Sequence, residues 1–450
     1  MPTPSTVSSS LHRFPAQTGQ AVPGGGRLRQ LLAELVHRHR VPAAQLAVRT
    51  GGVTESVVAG DLGPDAKIPV GSITKAFTAA LAMLLVADGD LDLGDRLGAH
   101  LADLGPHAGR PTLAQVLSHT GGLPAALGAA ADSGSARRYL RECRDAGLVQ
   151  PPGQGFSYSN VGYVLTGYAV EAVTGMSWWE AIDTLLLADL GIDAAFVVEP
   201  GPRRRTGTHL AGHAVHAASG HARPVAQTLS AAEAPAGALA LSAADLVAFG
   251  RMFCGGESPL PGDLLELMRR PVPGAEPFGL ADGWGLGLAG YRGADADWTG
   301  HDGTADGTSC HLRVDVEHDR VVALTTTGST GAALWTDLVG ELRDSGLPVG
   351  DYELPGDLDR PARPAAGFSG RYTNGDLEYH VDVRADGDAV LVVDGEVYPE
   401  LAVLDNGSFS VREPATGRRI VGGRFLTDPA TGTVSAMQAG GRIARRRQAS

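Results

Sequence analysis

The run Ala76-Phe77-Thr78-Ala79-Ala80-Leu81-Ala82-Met83-Leu84-Leu85 constrains this chain more than any other segment, because its apolar residues lie nearly all round a helix. A helix without a polar face must be covered on every side, so the run predicts a buried central helix. Ser72-Ile73-Thr74-Lys75 leads into it. Positions i and i+3 share a helix face, which sets the Ser72 hydroxyl beside the Lys75 amine at the helix N-terminus. The helix field there favours a developing negative charge. Of 37 lysine and arginine residues only Lys67 and Lys75 are lysines. Arginine cannot give up its proton, whereas a desolvated lysine can act as a general base. The pair therefore points to an activated serine nucleophile.

The 450 residues are enough for one large core and a smaller domain, and 62 glycines imply many turns. A net charge of −13 argues against nonspecific nucleic-acid binding and against anchoring to anionic lipid, and small molecules or peptides fit better. Cys143, Cys254 and Cys310 are isolated and lack metal or redox spacing, which predicts no disulfide framework and a reducing compartment. Cys310 reads as a buried strand residue. Residues 1–26 are polar, with no apolar run to serve as a signal-peptide core, so a disordered leader and a cytoplasmic location are expected. The apolar run near Ala76 to Ala87 is too short to span a bilayer. His209, His213, His216 and His221 have no accompanying carboxylate or cysteine cluster, and Gly212 and Gly220 suggest a hairpin, so neither a metal nor another cofactor is expected. Arg203-Arg204-Arg205 reads as a solvated loop.

Leu28 to His37 has helical periodicity, followed by strand-like runs Gln45 to Arg49 and Thr54 to Ala59 across Gly51-Gly52. Ser72 to about Leu190 is mostly helical. Strand patterns return at Ser309 to Val316 and Arg320 to Thr327, and a helical run from Gly331 to Ser345 follows. Early and late strands bracketing helices predict an α+β domain over residues 27–350 whose antiparallel sheet joins both ends of the segment. Residues 351–366 are rich in proline and acidic residues and read as a linker. In 367–450, short runs such as Leu377 to Arg384, Ala389 to Val393, Ser408 to Arg412 and Arg418 to Leu426 alternate with Asp-Gly, Asn-Gly and Thr-Gly turns, the pattern of a meandering antiparallel barrel or sandwich.

Two further motifs follow the serine and lysine. Pro151-Pro152-Gly153-Gln154-Gly155-Phe156-Ser157-Tyr158-Ser159-Asn160 presents a tyrosine and an amide with one residue between them, and Gly300-His301-Asp302-Gly303-Thr304 precedes the strand containing Cys310. Taken singly either is an ordinary turn, since turns favour Asn, Gly and Asp for backbone reasons. In this order they resemble the S-x-x-K, Y-x-N and K/H-x-G motifs of the serine β-lactamase and penicillin-binding-protein superfamily, particularly its class C and esterase-like branch. Leu117-Ser118-His119-Thr120-Gly121-Gly122-Leu123 and Leu241-Ser242-Ala243-Ala244-Asp245-Leu246 also look like that branch.

The resemblance implies an α+β serine hydrolase fold, an antiparallel sheet with helices and a helical subdomain, over about Leu28 to Ser345. It implies that Ser72 attacks an acyl carbonyl while Lys75 and Tyr158 move its proton to the leaving group. It makes Asn160 the residue that positions Lys75 and a substrate amide. The oxyanion hole falls to the backbone N–H groups of Ser72 and Thr304. His301, where β-lactamases usually carry lysine, argues against strong carboxylate recognition of the penicillin type, and Gly303 is a candidate substrate contact. The chain as a whole looks most like the penicillin-binding-protein-type thioesterases, standalone cyclases of nonribosomal peptides that end in a lipocalin-like domain. That resemblance implies a peptidyl carrier protein with its tethered peptide as partner, release as a head-to-tail macrolactam, and a D-configured C-terminal residue. Arg446, in the basic run Arg445-Arg446-Arg447, is a candidate to reach the active site from the appended domain. An intracellular esterase, a D-aminopeptidase or a β-lactamase-like hydrolase shares the apparatus. A catalytically idle binder on the same fold is the reading from another class, which the intact Ser72, Lys75 and Tyr158 oppose.

Overall fold

A computed structural model describes residues 24–128, 135–198, 208–216, 219–353, 366–384, 388–404, 407–412, 419–428 and 430–447. Most of the expected leader, most of the expected linker and the Arg203-Arg204-Arg205 run lie outside these described residues.

The first domain is built on an antiparallel sheet of seven described strands. In spatial order these are Val53–Ala59, Ala44–Thr50, Arg320–Thr326, Thr308–Asp315, Asp297–Ala305, Ala289–Arg292 and Gly283–Trp284. Ala44 pairs with Thr326 and Leu46 with Leu324, so the early hairpin closes on the late strands as the sequence pattern predicts. Both faces are covered. Leu46, Val48, Val322 and Leu324 join a core under the helices Gly25–Arg38 and Gly331–Asp344, whereas their neighbours Ala47, Val321 and Ala323 join the core that holds the helix Thr74–Asp88. This is the two-residue period of a strand expressed as two separate cores. Coverage on both sides also explains why Thr308–Asp315 is buried at every position, Cys310 included.

The helix Thr74–Asp88 runs through the second of these cores, buried at eleven positions, and ends at Gly89 in the left-handed conformation (φ +81°). With the preceding turn, Gly71–Asp88 is long and apolar enough to cross a membrane, which the shorter run from Ala76 concealed, yet 78% of it lies buried inside the domain. The histidine-bearing segment forms the expected hairpin, Gly212–His216 with His221–Val225.

The third motif corrects an expectation. Gly300 to Thr304 lies within the strand Asp297–Ala305, paired to Thr308–Asp315 and to Ala289–Arg292, not in a turn before the Cys310 strand. Glycine and short polar residues hide its two-residue alternation.

The C-terminal domain is a sheet of nine described strands, with Gly370–Asn374 and Arg442–Arg446 at its centre and Glu396–Tyr398 and Ala402–Val403 at its edges. It curls around a small core of Tyr372, Val381, Phe409, Phe425 and Met437 as a half-barrel. Asp351, the first residue of the expected linker, is packed against the first domain. It accepts hydrogen bonds from Arg313 Nη2 at 2.5 Å and Trp335 Nε1 at 3.0 Å. Arg313 is fully buried, binds Asp302 as well, and lies 3.6 Å from the Tyr291 ring centroid.

Candidate active site

Ser72 stands in a 3-10 turn, Gly71–Ile73, that runs directly into the central helix. Two glycines let the third-motif strand lie against this turn. A Cβ on Gly71 (φ +50°) would come within 2.1 Å of the Thr304 carbonyl oxygen, and one on Gly303 within 2.0 Å of the Val70 carbonyl oxygen. Neither position tolerates a side chain, and the close approach brings the Thr304 backbone beside Ser72, the arrangement an oxyanion hole of the two N–H groups requires.

Lys75 Nζ lies 3.0 Å from Ser72 Oγ and donates to the Ala236 carbonyl at 2.8 Å. Burial pushes its pKa down to about 7, the Arg442 charge adds to that, and Glu233 opposes it. A substantial fraction is therefore neutral near pH 7, and a neutral amine keeps its bond to Ala236 while its lone pair accepts the serine proton. Lys67, the other lysine, is committed to Asp245 at 2.5 Å.

Tyr158 packs over this pair, with Lys75 Nζ 5.2 Å from its ring centroid. Burial pushes its pKa up to about 12, against a hydrogen bond with Ser72 and the charge of Arg442. It stays protonated through neutral pH and is suited to hand a proton on rather than to be the standing base. Its loop is held by three hydrogen bonds to two residues. Ser157 N–H donates to His119 O at 2.9 Å, Tyr158 N–H to Gly441 O at 2.9 Å, and Ser159 N–H to His119 Nδ1 at 3.1 Å. His119 holds a left-handed backbone (φ +56°), and its ring lies 4.3 Å from that of Tyr158. Burial, with Lys75 and His301 nearby, holds its pKa well below the usual range, so the ring is neutral and Nδ1 accepts. Asn374 of the C-terminal domain, fully buried, receives Ala125 N–H and donates to Ser157 Oγ and Ile443 O.

His301 is 2% exposed and donates from Nδ1 to the Asp302 carbonyl at 2.5 Å. Burial, joined by the Lys75 charge, pushes its pKa down to about 4. At neutral pH the third motif thus offers a neutral imidazole with Nε2 as acceptor, not a cation.

Two cavities meet at Ser72. One, of about 230 Å³, is lined by Tyr158, Trp284, Tyr291, His301, Gly303 and Arg442. The other, of about 420 Å³, is lined by Lys75, Asn160, Gln227, Thr228, Glu233 and Asp306. The first carries the Arg442 guanidinium and aromatic walls, its one carboxylate, Asp302, being paired with Arg313; the second carries the Glu233 and Asp306 carboxylates beside the Lys75 amine.

The structure brings Ser72, Lys75, Tyr158, Asn160, His301, Gly303 and Thr304 together. Asn160 begins its helix beside Lys75, but among the described residues the partners of the amine are Ser72 and the Ala236 carbonyl, which does the positioning expected of Asn160. Arg446 is a correction: its guanidinium is tied inside the half-barrel to the carbonyls of Ser369 at 2.5 Å and Val434 at 3.3 Å. The arginine that reaches the site is Arg442, at the start of the same strand, 5.2 Å from the Tyr158 ring centroid. Arg442 follows Gly440-Gly441, both at positive φ, and that double glycine was the signal available in the sequence. Glu233, Ala236 and the clamp role of His119 had no comparable signal.

Comparison with known proteins agrees with this geometry. The Beta-lactamase family model matches residues 28–342. Penicillin-binding protein 4 of Amycolatopsis lactamdurans is 31% identical over 353 residues, covering 72% of this chain and 90% of that protein. The crystal structure of SurE is 39% identical and superposes with a TM-score of 0.82 over 94% of this chain and 99% of its own. The structure of SurE with D-Leu gives 38%, a TM-score of 0.80 and the same coverage. With a family match over residues 28–342 and a relative 31% identical over most of both chains, the chain belongs to the Beta-lactamase family.

Proposed function

We propose that this protein is a standalone peptide cyclase of the thioesterase type, which takes a peptide from a carrier-protein thioester onto Ser72 inside the cell and releases it as a head-to-tail macrolactam. The observation that carries the reading is the likeness to SurE, which extends through both domains and includes a structure with D-Leu. That likeness also favours a D-configured residue at the acyl end of the peptide.

The geometry supports each step. Ser72 Oγ adds to the thioester carbonyl as Lys75 accepts its proton, and the oxyanion rests on the N–H groups of Ser72 and Thr304. The carbon–sulfur bond breaks and the thiolate takes the proton, relayed through Tyr158. The peptide's own amine then attacks the ester, loses a proton to the same relay, and Ser72 Oγ leaves with that proton as the amide forms. The cavity bearing Glu233 and Asp306 suits an incoming amine, which arrives as an ammonium and gives its extra proton to solvent before it attacks. The cavity bearing Arg442 suits the acyl chain, whose backbone carbonyls a guanidinium can bind. A bound amine beside the ester has the advantage of proximity over water.

The test is liquid chromatography with mass detection on matched peptidyl thioesters ending in a D or an L residue. The cyclic product, lighter than the hydrolysed acid by one water, is expected mainly from the D epimer. Hydrolysis of both epimers without ring formation would move the assignment to an esterase, D-aminopeptidase or β-lactamase-like hydrolase.

A further inference from the structure

The half-barrel has a largely apolar cavity of about 280 Å³, lined by Leu391, Val393, Tyr398, Val411 and Ile420, with Phe278 of the first domain and Arg442 at its border. Strand alternation explains the lining: Leu391 and Val393 share one face of their strand, Tyr398 pairs with Leu391, and Tyr379 pairs with Val393. Val393, Tyr398 and Ile420 pack on the small core yet remain only half-buried, so apolar surface faces the cavity. Ligand pockets usually hold ~300–1,000 Å³, so this one has room for a side chain or two rather than a whole ligand.

It also adjoins the catalytic cleft. Gly440 and Arg442 line both this cavity and the Ser72 pocket, with the Arg442 guanidinium at the junction. An acyl chain held on Ser72, with the carboxylate-bearing side kept for the attacking amine, leaves past Arg442. Its upstream residues, rising ~3.3 Å each when extended and alternating in side-chain direction, then pass the mouth of the half-barrel.

We infer that the half-barrel cavity is a distal acyl-chain subsite that takes an aliphatic or aromatic side chain of the donor peptide, upstream of the residue esterified to Ser72. This rests on the reading of the protein as an acyl-serine enzyme acting on peptidyl donors. A peptide with an apolar upstream side chain gains by burying it, and a polar one forfeits that gain.

The experiment uses the full chain and three thioesters with the same D-terminal residue: an N-acetyl amino acid, a hexapeptide with leucine or phenylalanine upstream, and the same hexapeptide with serine there. Thiol release gives kcat/KM whether the acyl-enzyme cyclises or hydrolyses. The apolar hexapeptide is expected to exceed the serine hexapeptide by about tenfold. Val393→Trp, which fills the cavity, is expected to abolish that preference and to lower the ratio of hexapeptide to amino-acid turnover by a similar factor. Ile420→Trp, from the opposite wall, repeats the test should the first variant unfold at a lower temperature. Equal turnover of the two hexapeptides, or an unchanged ratio in both folded variants, overturns the subsite. Absence of thiol release from every donor, with no adduct on Ser72, overturns the parent reading and the subsite with it.

Discussion

The backbone N–H of Tyr158 donates to the carbonyl of Gly441, 2.9 Å away and in the other domain. Tyr158, the relay of the proposed mechanism, is therefore held in place by the half-barrel, through the same hairpin that carries Arg442 into the cleft. Catalysis and domain docking share one set of hydrogen bonds.

Asn374 is one of the side chains that secure this docking, with Gln438 and Arg424. Asn374→Ala leaves the Ala125 N–H and the Ile443 carbonyl without their partner, and each unsatisfied buried group costs ~1–3 kcal/mol. Denaturant unfolding is expected to show a loss of that size, accompanied by slower acylation because the tyrosine loop loosens. Full activity at reduced stability would show that the loop holds its shape without Asn374.

Ser72→Ala is expected to form no covalent adduct. Intact mass measurement after mixing with an activated peptidyl thioester should show the acyl mass on the wild type alone.

Lys75→Arg should be nearly as damaging as Lys75→Ala, with acylation slowed by about 10²–10⁴-fold, since a permanent cation cannot accept the serine proton. Tyr158→Phe should keep the fold and slow acylation through loss of the relay.

The pH profile follows from the depressed pKa of Lys75. Its neutral form is the base, so kcat/KM is expected to rise with pH through about 7 and to fall on the acid side. Arg442 lowers that pKa and Glu233 raises it. Arg442→Gln should therefore move the acid limb to higher pH and Glu233→Gln to lower pH. Identical profiles for both variants would remove Lys75 from the role of base.

Arg446 and Arg442 should part company. Arg446→Gln loses two carbonyl contacts within the half-barrel and is expected to lower the unfolding midpoint, whereas Arg442→Gln is expected to act on turnover of peptidyl donors. Turnover measured beside thermal unfolding separates the two.

Much of this was legible in the sequence because its signals are local. The central helix, the hairpin that precedes it, the late strands and the runs Ala389–Val393 and Ser408–Arg412 carry patterns that complete themselves within a few residues. Ser72, Lys75 and Tyr158 were marked by spacing and context. What stayed hidden depends on distant partners. The strand Asp297–Ala305 is held by neighbours on both sides and packed against the nucleophile turn through Gly303, so its own residues carry weak strand propensity. Ala236 acts through its carbonyl, which no side chain advertises. Arg442 and Arg446 are alike in sequence, and only the curl of the half-barrel turns one into the cleft and the other toward Ser369.

The contacts of Arg313 bear on where the gene can be shortened. A cut after Gly350 removes not only the half-barrel but also the Asp351 carboxylate, leaving a buried guanidinium with Asp302 as its remaining acidic partner beneath the third motif. Stripping one partner from a buried ion pair costs ~3–5 kcal/mol, enough to disarm a truncated protein by itself. A pair of stop codons, one after Gly350 and one after Glu353, helps to separate the two losses: the longer product reports what the catalytic half does without its appended sheet, and the difference between the products reports Asp351 together with the smaller contacts of Tyr352 and Glu353.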